Sequence, residues 1–117
     1  MKILKSYTRV YVHHLNATIN RYQRLLSTTV ESRFKYPQKG LELASIGNLL
    51  LISGNENSLR PFRTTQITFL VDDLDEFVVF FKQHHFQIIH PYQHVSTGKD
   101  ITVKDPEGFI AEYVQHV

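Results

Sequence analysis

The feature of the sequence that most constrains its fold is an internal repeat. Residues 11–16 (YVHHLN) resemble residues 70–75 (LVDDLD), about 60 positions later. Each block follows a stretch of alternating β-branched and aromatic residues, which is typical of a strand. Each block also precedes a segment with helical spacing of apolar residues, such as Ile19, Tyr22 and Leu26 in the first copy. The chain must therefore contain two copies of one strand–helix unit.

The repeat continues beyond the helices. Three strand-like runs follow each predicted helix: residues 30–36, 41–45 and 49–53 in the first copy, and 86–92, 99–104 and 109–114 in the second. Short turns containing Gly47 and Gly108 join the last two strands of each trio, as tight hairpins require. Residues 54–63 are polar and contain Pro61, which predicts a linker between the copies.

This order of elements predicts an α+β fold built from two βαβββ modules. We expect residues 1–60 and 61–117 to form the two modules of a single domain, with a curved mixed sheet and an open cleft. One helix covers one face of each module's sheet, and pairing the modules turns the two uncovered faces into the cleft. The alternative is a ferredoxin-like β-α-β-β-α-β sheet, which has about two strands between its helices, where four are predicted here.

Composition and charge exclude several classes of function. The net charge is +2 and no basic run exceeds a dipeptide, which argues against a nucleic-acid partner. The absence of cysteine excludes a disulfide scaffold, a thiolate zinc site and a cysteine nucleophile. No apolar stretch is long enough for a signal peptide or a membrane span, so we expect a cytoplasmic protein without a membrane partner.

Two passages of the second copy resemble the vicinal oxygen chelate superfamily. They are residues 67–76 (ITFLVDDLDE) and 103–112 (VKDPEGFIAE), and the Asp-Pro-Glu-Gly turn with a glutamate four residues after its glycine is the more specific. The first copy matches more loosely, through residues 10–16 and Tyr22. The superfamily includes glyoxalase I, the fosfomycin and bleomycin resistance proteins and the extradiol dioxygenases. The resemblance covers nearly the whole chain, and it implies the paired-module fold and a homodimer.

The same resemblance gives the positions at which metal-binding members place their ligands. Carried over residue by residue, those positions are Tyr7, Leu51, Gln66 and Glu112. Only Glu112 is a good ligand for a divalent ion, because a tyrosine must lose a proton with a pKa of about 10, a glutamine offers one neutral oxygen and a leucine offers nothing. Such sites use about three histidine or carboxylate ligands. We therefore expect no metal or other cofactor, with a divalent metal as the lesser alternative.

Alternation along the strands predicts which side chains line the cleft. In the first strand Tyr7, Arg9 and Tyr11 share the cleft face, while Val10 and Val12 meet the helix. The other side chains predicted on the cleft face are Leu49, Leu51, Ser53, Gln66, Thr68, Leu70, Ile110, Glu112 and Val114. A wall that mixes aromatic, aliphatic and a few polar groups suits a small organic ligand.

Two functions of different kinds follow from this reading. The first is a metal-free, bleomycin-resistance-like protein that binds a small anionic or aromatic molecule, which Arg9 would hold by a carboxylate or phosphate unless it forms a salt bridge with Glu112. The second is a metal-dependent, glyoxalase-like lyase, isomerase or transferase, which would be favoured if His90 or His94 turned toward Glu112. A regulatory module with an empty cleft is a third reading, and no catalytic residue is assigned.

Overall fold

The computed structural model describes all 117 residues, in eight strands and three α-helices. In chain order these are β1 (Ile3–Val12), α1 (Leu15–Leu25), β2 (Ser32–Tyr36), β3 (Leu41–Ile46), β4 (Leu49–Ser53), α2 (Glu56–Leu59), β5 (Ile67–Val71), α3 (Leu74–Gln83), β6 (Gln87–Val95), β7 (Gly98–Lys104) and β8 (Ile110–His116). Short 3-10 helices lie at Pro37–Lys39 and Arg60–Phe62. No helix is both long enough and apolar enough to cross a membrane.

The α+β class and the βαβββ order of both copies are confirmed. Four strands separate α1 from α3, which rules out the ferredoxin-like alternative. The chain divides into two compact units, one of Tyr7–Thr64 and one of Met1–Ser6 with Thr65–Val117. We call these the first and the second module. The boundary lies four residues later than the sequence suggested, and the union of both modules in one domain stays a prediction.

The first module is a mixed sheet with one helix on one face. Its strands lie in the order β2-β3-β4-β1, with β1 parallel to β4 and the other neighbours antiparallel. Helix α1 buries Leu15 and Ile19 against Ala44, Ile46 and Leu51 of the sheet. Burial of this apolar stripe, rather than helix propensity, holds an 11-residue helix in place.

The second module repeats this plan with a more aromatic core. Its strands lie in the order β5-β8-β7-β6, with β5 parallel to β8 and the other neighbours antiparallel. Helix α3 begins after Asp73, whose side chain accepts a hydrogen bond from the amide of Asp75 at 3.1 Å. Phe77 and Phe81 pack against Tyr113 with ring centroids 5.5 and 4.8 Å apart, and this burial raises the pKa of the Tyr113 phenol.

Gly98 begins β7 at a point where only glycine fits. Its φ is 150°, and a Cβ atom there would lie 1.9 Å from the carbonyl oxygen of Gln115 on β8. The missing side chain lets the backbones of β7 and β8 approach as the ladder between them begins.

The predicted face of β4 is wrong. Leu51 is fully buried (0% exposed) and packs with α1, and Leu49 lies against the same cluster, so neither lies on the face of Tyr7 and Tyr11. Leu50 and Ile52 take that face instead. Residues 49–52 are all apolar, so alternation within β4 gives no sign of its orientation. The parallel register with β1, which sets Val10 opposite Leu51, decides it.

Replacing Leu51 with alanine should test this placement. We expect Leu51→Ala to lower the free energy of unfolding by about 2–5 kcal/mol, because it leaves a cavity under α1. The matched control is Leu25→Ala at the exposed end of α1 (67% exposed), which should change it by less than about 0.5 kcal/mol. Chemical denaturation followed by circular dichroism measures both, and equal effects would contradict the placement.

Candidate functional site

The sheet face opposite α1 in the first module is aromatic and aliphatic. We call it the aromatic face. Its buried residues are Leu41, Leu43, Leu50 and Ile52, and its partly buried residues are Tyr7, Tyr11, Phe34 and Tyr36. Tyr7 and Tyr11 therefore lie on the face that alternation predicted, and Val10 and Val12 lie on the α1 side.

A hydrogen-bonded chain fixes an arginine on this face. The Nε–H group of Arg9 donates to the hydroxyl oxygen of Tyr11 at 2.8 Å, and the Tyr11 hydroxyl donates to the carbonyl oxygen of Phe62. The guanidinium carbons of Arg9 and Arg63 lie 5.5 and 5.8 Å from the centroid of the Tyr11 ring. Two guanidinium groups therefore lie near one phenol ring, and the hydrogen bond to Tyr11 orients that of Arg9.

Residues 54–63 are not a plain linker. We call residues 55–63 the strap, because they fold into α2 and a 3-10 turn and pack on the aromatic face. Leu59 is fully buried (0% exposed) in the cluster of that face, and Phe62 lies against the same cluster. The side chain of Asn55 caps α2 by accepting from the amide of Ser58 at 2.9 Å. The polar composition predicted a linker because two apolar residues, Leu59 and Phe62, are too few to show a period.

An ionic cluster fastens the start of the strap. Glu56 accepts hydrogen bonds from Arg63, and its Oε1 atom lies 3.0 Å from Nε2 of His13. The hydrogen bond from Arg63 holds the pKa of Glu56 below its ordinary value, and the charges of Arg63 and His13 act in the same direction. Nδ1 of His13 lies 3.0 Å from the carbonyl oxygen of Gly54. Both ring nitrogens of His13 thus face oxygen atoms.

Two open pockets flank the strap. One has a volume of about 420 Å³ and the other about 390 Å³, within the range of small-molecule sites. The larger is lined by His13, Lys35, Pro37, Gly40, Leu41, Glu42, Ser53, Gly54 and Asn55. The smaller is lined by Lys39, Asn55, Asn57, Ser58, Pro61 and Phe62. Ser53, predicted on the cleft wall, therefore lines the larger pocket, where its hydroxyl donates to the carbonyl oxygen of Glu42 at 2.7 Å.

The face opposite α3 in the second module carries a polar row. The row runs across the four strands through paired residues: Thr68 on β5, Glu112 on β8, Thr102 on β7 and His90 on β6. The hydroxyl of Thr68 donates to Oε1 of Glu112 at 3.0 Å. Gln66 is exposed just before β5. Its backbone N–H group donates to the carbonyl oxygen of Ile110 at 3.0 Å.

The donor set of this row does not fit a divalent metal ion. Both cross-strand neighbours of Glu112 are threonines, whose neutral hydroxyls are weak ligands. No group of three or more histidine, aspartate or glutamate side chains is placed to hold a metal ion. We therefore derive no chemical step through a metal at this row.

The structure brings together some of the predicted site residues and separates others. Thr68 contacts Glu112, and Arg9 contacts Tyr11. The salt bridge between Arg9 and Glu112 would join different modules and stays a prediction. His90, one of the two histidines considered from the sequence as neighbours of Glu112, lies in the same row of cross-strand partners. His94 is exposed and its ring packs edge-on against Tyr92, at a centroid distance of 5.7 Å.

Comparison with known proteins shows the class to which this fold belongs. No family model matches the chain, and no curated protein does. Methylmalonyl-CoA epimerase from Mycobacterium tuberculosis aligns with a TM-score of 0.79 over 98% of this chain and 89% of its own, at 13% identity. A Streptomyces coelicolor methylmalonyl-CoA epimerase variant in complex with 2-nitronate-propionyl-CoA aligns with a TM-score of 0.78 over 99% of both chains, at 15% identity. At these identities the likeness shows the fold alone.

The chain thus has the fold of these epimerases. It belongs to one family with an uncharacterized protein from Methanosarcina mazei. The two are 47% identical over 100% of this chain and 95% of the other, with a TM-score of 0.94.

The ionic cluster predicts how the strap responds to pH. Because the pKa of Glu56 is lowered in the folded state, its stabilising effect is present above the ordinary pKa of a glutamate and is lost as the pH falls through the lowered value. We expect Glu56→Gln to speed amide exchange at Ser58 and Leu59 a few-fold at pH 6, since exposed ion pairs contribute little. The variant and the wild type should exchange alike once the pH has fallen below the lowered pKa of Glu56, because its carboxylate is then protonated.

Amide hydrogen exchange, corrected for the intrinsic effect of pH, measures this difference. The matched control is Glu107→Gln, an exposed glutamate in the turn before β8, which should leave exchange in the strap unchanged. An effect of Glu56→Gln that does not shrink as the pH falls would show that the side chain acts through something other than its charge.

Proposed function

We propose that this protein binds a small organic anion with an aromatic part, without a metal ion, in the manner of the bleomycin-resistance type. The observation that carries the proposal is the orientation of Arg9 by Tyr11 on the aromatic face. A guanidinium held in one plane is preorganised for two parallel hydrogen bonds to a carboxylate, sulfonate or phosphate. Such preorganisation reduces the conformational entropy that the side chain loses on binding.

The surroundings of Arg9 support the aromatic part of the ligand. Tyr7 and Phe34 offer ring surface, and leucine and isoleucine side chains lie between them. Lys39 is a further cation near this face, with its ammonium nitrogen 5.3 Å from the centroid of the Phe62 ring. Apolar surface with positive charge at its edge matches a molecule that carries a ring and an acidic group.

The polar row of the second module supports the absence of a metal. Glu112 accepts a hydrogen bond from Thr68, and its other neighbour in the row is Thr102. Such a row can accept hydrogen bonds from hydroxyl or amine groups of a ligand. Its only histidine or carboxylate side chains are His90 and Glu112, fewer than the about three such ligands that a divalent ion would need.

A proton-transfer isomerase acting on an acyl thioester is the second candidate. The epimerases that share the fold favour it, and so does the presence of His90 and Glu112 in one row. Neighbouring strands lie about 4.8 Å apart, so the backbones of His90 and Glu112, two strands from each other, are separated by about 10 Å. That separation leaves room for a substrate carbon between an imidazole and a carboxylate, which are the usual general acids and bases.

Titration with 1-anilinonaphthalene-8-sulfonate (ANS), an aromatic sulfonate, tests the binding function. We expect untagged protein to bind this probe with the same Kd in the presence and absence of EDTA. Arg9→Gln should raise the Kd roughly tenfold or more, because a charge-assisted hydrogen-bond pair is lost. The matched control is Arg33→Gln on the edge strand β2, where Arg33 pairs with Ala44 of the α1 side and should not affect the probe.

Absence of ANS binding would favour an enzyme over a binding protein. Elemental analysis before and after incubation with zinc, manganese, nickel and iron(II) would then find near-stoichiometric metal that Glu112→Ala removes. Solvent deuterium would also enter methylmalonyl-CoA, and His90→Gln and Glu112→Gln would each abolish the exchange. Either finding, with no probe binding, would overturn the metal-free binding function.

A further inference from the structure

The aromatic face is already occupied in part by the protein's own chain. Leu59 and Phe62 belong to the same cluster as Tyr7, Tyr11 and Phe34. The face that would receive the ring of a ligand is therefore partly covered by two apolar side chains of the strap.

The strap also supplies an oxygen acceptor at the point where a ligand would place its acidic group. The Tyr11 hydroxyl donates to the carbonyl oxygen of Phe62, and the same hydroxyl accepts from Arg9. An apolar ring beside an oxygen acceptor is the chemistry of an aryl carboxylate or sulfonate. Phe62 therefore offers the two groups that such a ligand would offer, an oxygen that accepts from Tyr11 and a ring that packs on the aromatic face.

The attachment of the strap is local and mostly polar. Helix α2 has four residues, too few to be stable by itself, so its fold depends on what it touches. The contacts at its start are the exposed ionic cluster of Glu56 with Arg63 and His13, which is screened by salt. Apart from Leu59, the residues of α2 are polar and not fully buried. Segments with few buried apolar contacts open at lower cost than the core.

We propose that the strap is an autoinhibitory cover, and that an aromatic anion binds by displacing Leu59 and Phe62 from the aromatic face. The carboxylate or sulfonate of the ligand takes over the hydrogen bond from Tyr11 and contacts Arg9, while its ring replaces the strap side chains. This inference rests on the proposed function and adds that the ligand-binding state is the open state of the strap.

A reversible disulfide tests the cover. A Cβ atom built on Gly40 lies 3.4 Å from Cβ of Ser58, next to the range of about 3.5–4.5 Å found in disulfides. The chain has no cysteine of its own, so Gly40→Cys with Ser58→Cys can form only the bond that locks the strap shut. Because φ of Gly40 is 67° and a Cβ atom there would lie 2.5 Å from Oγ of Ser58, the variant Gly40→Cys with Ser58→Ala, called the Gly40→Cys control, serves as the control for backbone strain.

The expected result is that oxidation weakens binding of ANS to the double variant at least tenfold. Reduction with dithiothreitol should restore the Kd of the Gly40→Cys control, and the reductant should not affect the wild type. Equal affinity of the oxidised and reduced forms would overturn the cover and leave the proposed function standing. Absence of probe binding in the wild type would overturn both.

Amide exchange at Ser58 and Leu59 gives a second measurement that also reports on the strap itself. Displacement predicts that these amides exchange faster when ANS is bound, whereas a strap that closes over the ligand would become more protected. Greater protection would overturn the proposal. Leu59→Ala is a second variant, which should bind the probe several-fold more tightly because less of the face is occupied, and unchanged or weaker binding by the folded variant would also overturn it.

Discussion

The parallel pairing of the first and last strands of each module is the constraint on which the rest of the structure depends. Parallel neighbours need a long crossover, and here the helix with the two intervening strands supplies it. The same pairing sets Val10 beside Leu51 in the first module and Thr68 beside Glu112 in the second. One register thus decides which side chains pack under a helix and which lie on the opposite face.

The two copies of the repeat use that opposite face differently. In the first module it is aromatic, carries Arg9 and is covered by the strap. In the second module it carries a polar row in which Glu112 lies between two threonines. The repeat fixed the scaffold of both modules, while the chemistry of the two faces diverged.

Alternation and helical periodicity predicted most of the fold because they are local. The strands, both long helices and the face of β1 follow from residues close together in sequence. Thr68 and Glu112 were predicted on one face for the same reason, and they are in contact. For Glu112 the sequence left open whether His90 or His94 turns toward it. Register shifts on either side of His90 in the β6–β7 ladder, beside Pro91, leave alternation without a reliable starting point.

The sequence by itself determined the βαβββ order of both copies, the helix stripes and the face of β1. Only the tertiary structure decided the orientation of β4 and the position of the strap. An apolar run such as residues 49–52 fits either face, so pairing with β1 had to choose. Two apolar residues among polar ones show no period, so the packing of Leu59 and Phe62 depends on a surface assembled from strands far from them in the chain. Both outcomes rest on long-range contacts, which local sequence patterns do not encode.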